Sequence, residues 1–140
     1  MQKITAVVAL ALIPLFLSLA QEKMEPQKTS HKMTGYMVDQ MCGKKMVMSD
    51  IKKSNAKAAR HTKDCLLEES CKTSGYGLVT GGKYYKFDKS GDQKALDYLN
   101  STKKEDNIKV DVTGTMDGNS INVESIKDFS SKIKAKGTKT

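Results

Sequence analysis

The sequence predicts a small, mainly β fold with helices, in which five short strands in the order β-[α insertion]-β-β-α-β-β close into a barrel. Three observations carry this. Ile108, Val110, Val112 and Met116 alternate with polar residues, and Ile121 and Val123 resume the alternation after Asp117-Gly118, so two half-buried strands are joined by a turn. Tyr76–Thr80 and Lys83–Asp88 flank Gly81-Gly82, a two-residue hairpin turn whose glycines accept positive φ. Between these hairpins, Asp92–Ser101 places Ala95, Leu96 and Leu99 on one helical face.

The remaining elements follow in order. Met33–Asp39 is the first strand, ending at Cys42-Gly43. Ser49–Arg60 reads as a helix: Ser49 can cap it, Asp50 suits its positive start, and Ala56, Ala58 and Ala59 favour it. His61–Glu69 either continues that helix or forms a second one. Ile126 falls one residue out of phase with Val123, so a bulge or strand end is expected near Glu124–Ser125. Five strands with one helix between the third and fourth is the order of an OB-type barrel. The domain is expected over 33–129, with a helical insertion at about 42–74.

Of the 140 residues, the first twenty read as a secretory signal peptide. Lys3 supplies the charge, Ile4 to Leu19 is largely apolar, and Ser18-Leu19-Ala20 is a small-x-small cleavage site. Cleavage after Ala20 predicts an exported protein, periplasmic or secreted, with no membrane span in its mature form. Residues 21–32 should be a flexible linker and 130–140 a disordered basic tail. The roughly 120 residues that remain hold one domain and exclude a multidomain enzyme.

The formal net charge is +8, nearly all from lysine, since Arg60 is the single arginine. Base-specific readers lean on the bidentate fork of arginine, so no specific nucleic acid is expected. An anionic envelope polymer or a protein partner fits better. In Lys83–Asp88 the alternation turns Tyr85 and Phe87 inward with Val110 and Val112, and leaves Tyr84, Lys86, Lys109 and Asp111 outside.

Three cysteines, Cys42, Cys65 and Cys71, lie in the insertion or at its edges. Export means an oxidising compartment, and an odd number leaves one thiol unpaired, bound to something, or joined to another chain. On one helix His61 and Cys65 share a face, with Glu68 further along the stripe. Cys71 would then stand roughly 120° round and about 9 Å along, so a Cys65–Cys71 disulfide requires a helix break near Glu69-Ser70. The same break turns Cys71 toward a shared metal. Two readings therefore stay open. Either Cys42, His61, Cys65 and Cys71 form a soft site suited to Zn or Cu, or one disulfide staples the insertion beside a free thiol and a surface histidine. Met41 and Met46, in a run with Met33, Met37 and Met48, are accessory soft ligands under the first reading and gap fillers under the second. Thiol catalysis is not favoured, because no CxxC is present and no acid is assigned to orient a Cys–His pair.

The stretches Gly35-Tyr-Met-Val-Asp-Gln-Met-Cys-Gly43, His61-Thr-Lys-Asp-Cys65, Ser70-Cys71, Ser74-Gly-Tyr-Gly-Leu-Val79, Gly82-Lys-Tyr-Tyr-Lys-Phe-Asp88, Val110-Asp-Val-Thr-Gly-Thr115 and Ile121-Asn-Val-Glu-Ser-Ile126 are informative as a set. Together they resemble a group of small exported bacterial OB-like proteins with a D-x-x-C-G start, a downstream H-x-x-x-C and a further Cys. The resemblance spans about Gly35 to Ile126. It implies export and architecture, lends support to a Cys/His site, and brings no activity with it. Many members carry a His shortly after the first Cys-Gly, where this chain has Lys44, Lys45 and Met46. The expectation is an exported, non-enzymatic protein whose Cys/His cluster binds a soft transition metal. The alternative is a disulfide-stapled recognition module for an anionic polymer or a protein.

Overall fold

A computed structural model describes residues 29–130. The expected signal peptide and cleavage site, most of the expected 21–32 linker and the expected tail beyond 130 lie outside the described residues. The elements are β1 (His31–Asp39), α1 (Gln40–Met46), α2 (Ile51–Ala59), α3 (Lys63–Leu67), α4 (Glu69–Ser74), β2 (Tyr76–Thr80), β3 (Lys83–Phe87), α5 (Lys89–Ser101), β4 (Lys109–Asp117) and β5 (Ser120–Asp128). The fold is mixed α/β, and its five-stranded sheet closes in a ring in the order β1-β2-β3-β5-β4. All neighbours are antiparallel except β3 and β5, which run parallel.

Each hairpin follows its local chemistry. Gly81 and Gly82 turn at φ 57° and 75°, the paired positive angles a two-residue turn needs. On β5, Ser125 faces Thr113 while Val123 faces Gly114, so Glu124 is the extra residue of a bulge where the apolar phase slips. β1 starts at His31, opposite Gly114, two residues earlier than the apolar pattern suggests. The nine-residue β4 supplies ladder partners that far, and an edge of polar residues pairs as well as an apolar one.

Two apolar clusters form. Met37, Leu78, Phe87, Val110, Val112 and Ile121 fill the ring with Leu99 of α5 and Leu66 of α3. Val112→Ala is expected to lower stability by about 1–3 kcal/mol in chemical denaturation, because that buried position cannot collapse without moving both neighbouring strands. Lys109 departs from the outward, solvated placement that alternation implies. Its ammonium lies 4.2 Å from the Phe129 ring centroid and 5.7 Å from that of Tyr36, so Lys109→Ala should lower stability by about 0.5–1 kcal/mol. Asp111 is likewise engaged, accepting from Thr34 Oγ1 and pairing with Lys32 at 2.7 Å.

The second cluster lies outside the ring. Val38 and Val79 point away from the barrel interior yet are fully buried, because the insertion covers them with Ala58, Met46 and Val47. Tyr84, expected at the surface, packs into this layer. Gly43 of α1 makes the close approach possible, since a Cβ there would stand 2.5 Å from the Tyr84 ring.

The insertion is four short helices rather than one or two long ones. Asp50, not Ser49, caps α2: its carboxylate accepts from Lys53 N, and Ser49 Oγ instead accepts from Lys57 Nζ. α2 ends at Ala59, and Thr62 caps a new helix, so His61 sits in the link between α2 and α3. His61 and Cys65 therefore do not share a helical stripe. The chain breaks again at Glu68, one residue before the break that a Cys65–Cys71 approach requires. Tyr76 Oη donates to Leu66 O at 2.9 Å and Asn107 N to Ala59 O, which lashes the insertion to the barrel.

Candidate metal centre

The site forms where β1 ends. Asp39 is the last residue of the strand and the N-cap of α1, and its Oδ1 accepts the Cys42 N–H at 2.9 Å. D-x-x-C is thus a capping spacing that places the cysteine three residues into the helix, beside the cap. The pattern recurs. Thr62 caps α3 and accepts the Cys65 N–H, and Glu68 holds the N-cap position of α4 three residues before Cys71 without a side-chain capping bond. Each cysteine occupies the third position of its own short helix, which no continuous-helix reading reveals.

His61 closes the site from the other side. It is 7% exposed, not a surface residue, and its Nε2 lies 2.8 Å from Oδ2 of the fully buried Asp39. One ligand atom each from Asp39, Cys42 and His61 fall within 4.8 Å of one another. Cys65 is near enough to this trio and to Cys71 for Asp39 and both other cysteines to act on its thiol. All three cysteines are free thiols, with Cys71 buried and the other two half-buried. The structure thus brings Cys42 and His61 together with Asp39, and sets Cys65 and Cys71 alongside. Met46 packs in the second apolar cluster, and Met41 is exposed on α1.

Asp39 is the residue that sequence reasoning missed. The signal was present in D-x-x-C, which marks a cap, but nothing local pairs it with a histidine 22 positions away.

The electrostatics follow from burial around one anion. Desolvation alone would raise the Asp39 pKa. The hydrogen bonds from His61, the Cys42 backbone and the Cys42 thiol outweigh it and hold the carboxyl at about 2. The Cys42 thiol is pushed up to about 12, first by burial and then by the Asp39 carboxylate. Burial also raises Cys65, reinforced by Glu68 and Asp39, and raises Cys71, reinforced by Asp39. Without a cation the cluster is therefore one carboxylate among neutral thiols, the opposite of an activated thiolate nucleophile. A bound cation would reverse this, since it stabilises thiolates at the expense of their protons. Because Asp39 is ionised, the Nε2 it faces must carry the proton, and in the neutral ring Nδ1 keeps the lone pair.

Comparison of the chain with protein-family models, with characterised proteins and with solved structures finds no match. Among the described residues no helix is long and apolar enough to cross a membrane.

Proposed function

We propose that this chain is an exported, non-enzymatic OB-like protein that binds a soft transition metal, zinc or copper, through Cys42, His61, Cys65 and Cys71. The observation that carries this reading is the convergence of Asp39, Cys42 and His61 within 4.8 Å, with Cys65 and Cys71 close enough to act on the Cys42 thiol. Three sulfurs and an imidazole form a donor set that such ions accept in tetrahedral geometry. Asp39 holds His61 by Nε2, which leaves the lone pair of the neutral ring on Nδ1, and it caps the helix that carries Cys42. The ring order β1-β2-β3-β5-β4, with α5 between β3 and β4, supports the OB-like description.

One observation favours a second reading. The helix break between Cys65 and Cys71, whose thiols act on each other, also suits a disulfide staple. Thiol titration of unreduced protein, with and without a chelator, separates the two. Under the metal reading three thiols react once the chelator removes the ion; under the staple, one reacts in either case.

Export rests on the leader. Intact-mass measurement of protein from the exported fraction is expected to give a chain beginning at Gln21, and retention of Met1 would reverse that part of the reading.

A further inference from the structure

We propose that the α1–α2 face of the insertion is a docking surface for anionic phospholipid, used by the folded protein to lie on a membrane rather than to cross it. Its first support is where apolar surface is exposed. Among the described residues the exposed large apolar side chains are Met41, Met48 and Ile51, at 46%, 86% and 57%. All three fall within eleven consecutive residues, with Met48 in the connection between α1 and α2 and Ile51 the first residue of α2. Scattered single apolar side chains need no explanation, but a group confined to one tip does.

The second support is the charge around that tip. From Gln40 to Arg60 six basic residues stand against one acid, Asp50. Asp50 is already engaged, capping α2 and pairing with Lys53 at 3.3 Å. Met41 and Lys45 are spaced i, i+4 on α1 and both are exposed, so an apolar and a cationic group share one side of that helix.

The third support is a cleft of about 600 Å³ beside the tip, between α1, the β2–β3 turn and the β4–β5 turn. Lys44, Lys83 and Lys86 line it with Val47 and Tyr84, and no carboxylate does. Lys86 also feels the Asp92 carboxylate, which leaves Lys44 and Lys83 as the cations most available to a ligand. Ile51 lies against Gly82 at the rim, so the apolar tip and the cationic cleft adjoin. An anionic headgroup fits the cleft while Met48 and Ile51 reach the acyl boundary, and the lysine stems lie along the interface. A soluble polyanion would use the lysines alone and leave the apolar tip in water. The proposal draws on none of the cluster's ligands.

Co-sedimentation of the purified exported protein with phosphatidylcholine vesicles, with and without phosphatidylglycerol, tests it. Binding is expected only with phosphatidylglycerol, and it should weaken as salt rises. Met48→Ser with Ile51→Ser should lower partitioning by at least about tenfold. Lys44→Glu and Lys83→Glu should each lower it by about fivefold or more. Lys103→Glu, an exposed charge change at the end of α5, should alter it by less than about twofold. Because Ile51 touches Gly82, Met48→Ser alone, checked by circular dichroism, keeps the apolar arm interpretable. No binding to phosphatidylglycerol vesicles at low salt overturns the proposal. So does equal binding to soluble polyphosphate that the Met48 and Ile51 variants leave unchanged, which would assign the face to a polyanion.

Discussion

Zinc added to the fully reduced protein is expected to raise its unfolding free energy by about 2.7 kcal/mol when free zinc stands at a hundred times Kd. Each thiol that becomes a ligand must lose a proton that burial and the Asp39 carboxylate hold firmly, with Cys42 raised to about 12. Uptake should therefore release protons into weakly buffered solution, and apparent affinity should rise with pH. Cys65→Ser should abolish the stabilisation, because it removes one of the four proposed donors. Asp39→Asn should lower affinity by about 10–100-fold while leaving the three thiols in place, the effect of loosening His61. Cobalt titration reads the same site by its thiolate charge-transfer band. Equal responses from wild type and Cys65→Ser would reject the cluster as a metal centre.

His61→Ala is expected to cost about 3–5 kcal/mol in the metal-free protein, measured by chemical denaturation in the presence of a chelator. The reason is what it leaves behind. Asp39 is fully buried, and without His61 its carboxylate keeps only the Cys42 contacts. A histidine thought to lie on the surface would have been silent without metal, so its burial changes the diagnostic. Loss of stability in His61→Ala no longer signals metal; only the chelator dependence of that loss does. The double variant Asp39→Asn with His61→Ala should lose less than the sum of the two single losses, since the second change removes a charge already stranded.

The same pair predicts an acid limb. The Asp39 pKa of about 2 lies below its ordinary 3.8, so the folded state binds this proton less readily than the unfolded chain. Its contribution is complete above about pH 4 and fades as pH falls toward 2. Asp39→Asn should lack that limb. A denaturation series from neutral pH down to pH 2 checks it, and parallel curves for the two proteins would show that Asp39 is not the group responsible.

What was legible from the residues alone follows how local each signal is. The Gly81-Gly82 and Asp117-Gly118 turns, the β4–β5 alternation and the slip near Glu124 depend on neighbours within a few positions, and they appear where the pattern puts them. Helix boundaries in the insertion were less legible. Ser49 and Asp50 are both good caps, and the choice rests on which side chain reaches an N–H three residues on.

The sequence by itself determined the order of elements along the chain, the turns, the lone helix between β3 and β4, and the fact that cysteines and a histidine gather in one insertion. Only the tertiary structure decided which outward faces would be covered. Val38, Val79 and Tyr84 obey the two-residue period and point away from the ring, yet an insertion folded back over them makes them a second core. The same folding carries His61 onto Asp39 across 22 residues and brings Cys42 up to both. Periodicity states which side of an element a residue takes. It carries no information on what another element lays against that side, and here that contact determines whether an aspartate is a helix cap alone or also the buried partner of a distant histidine.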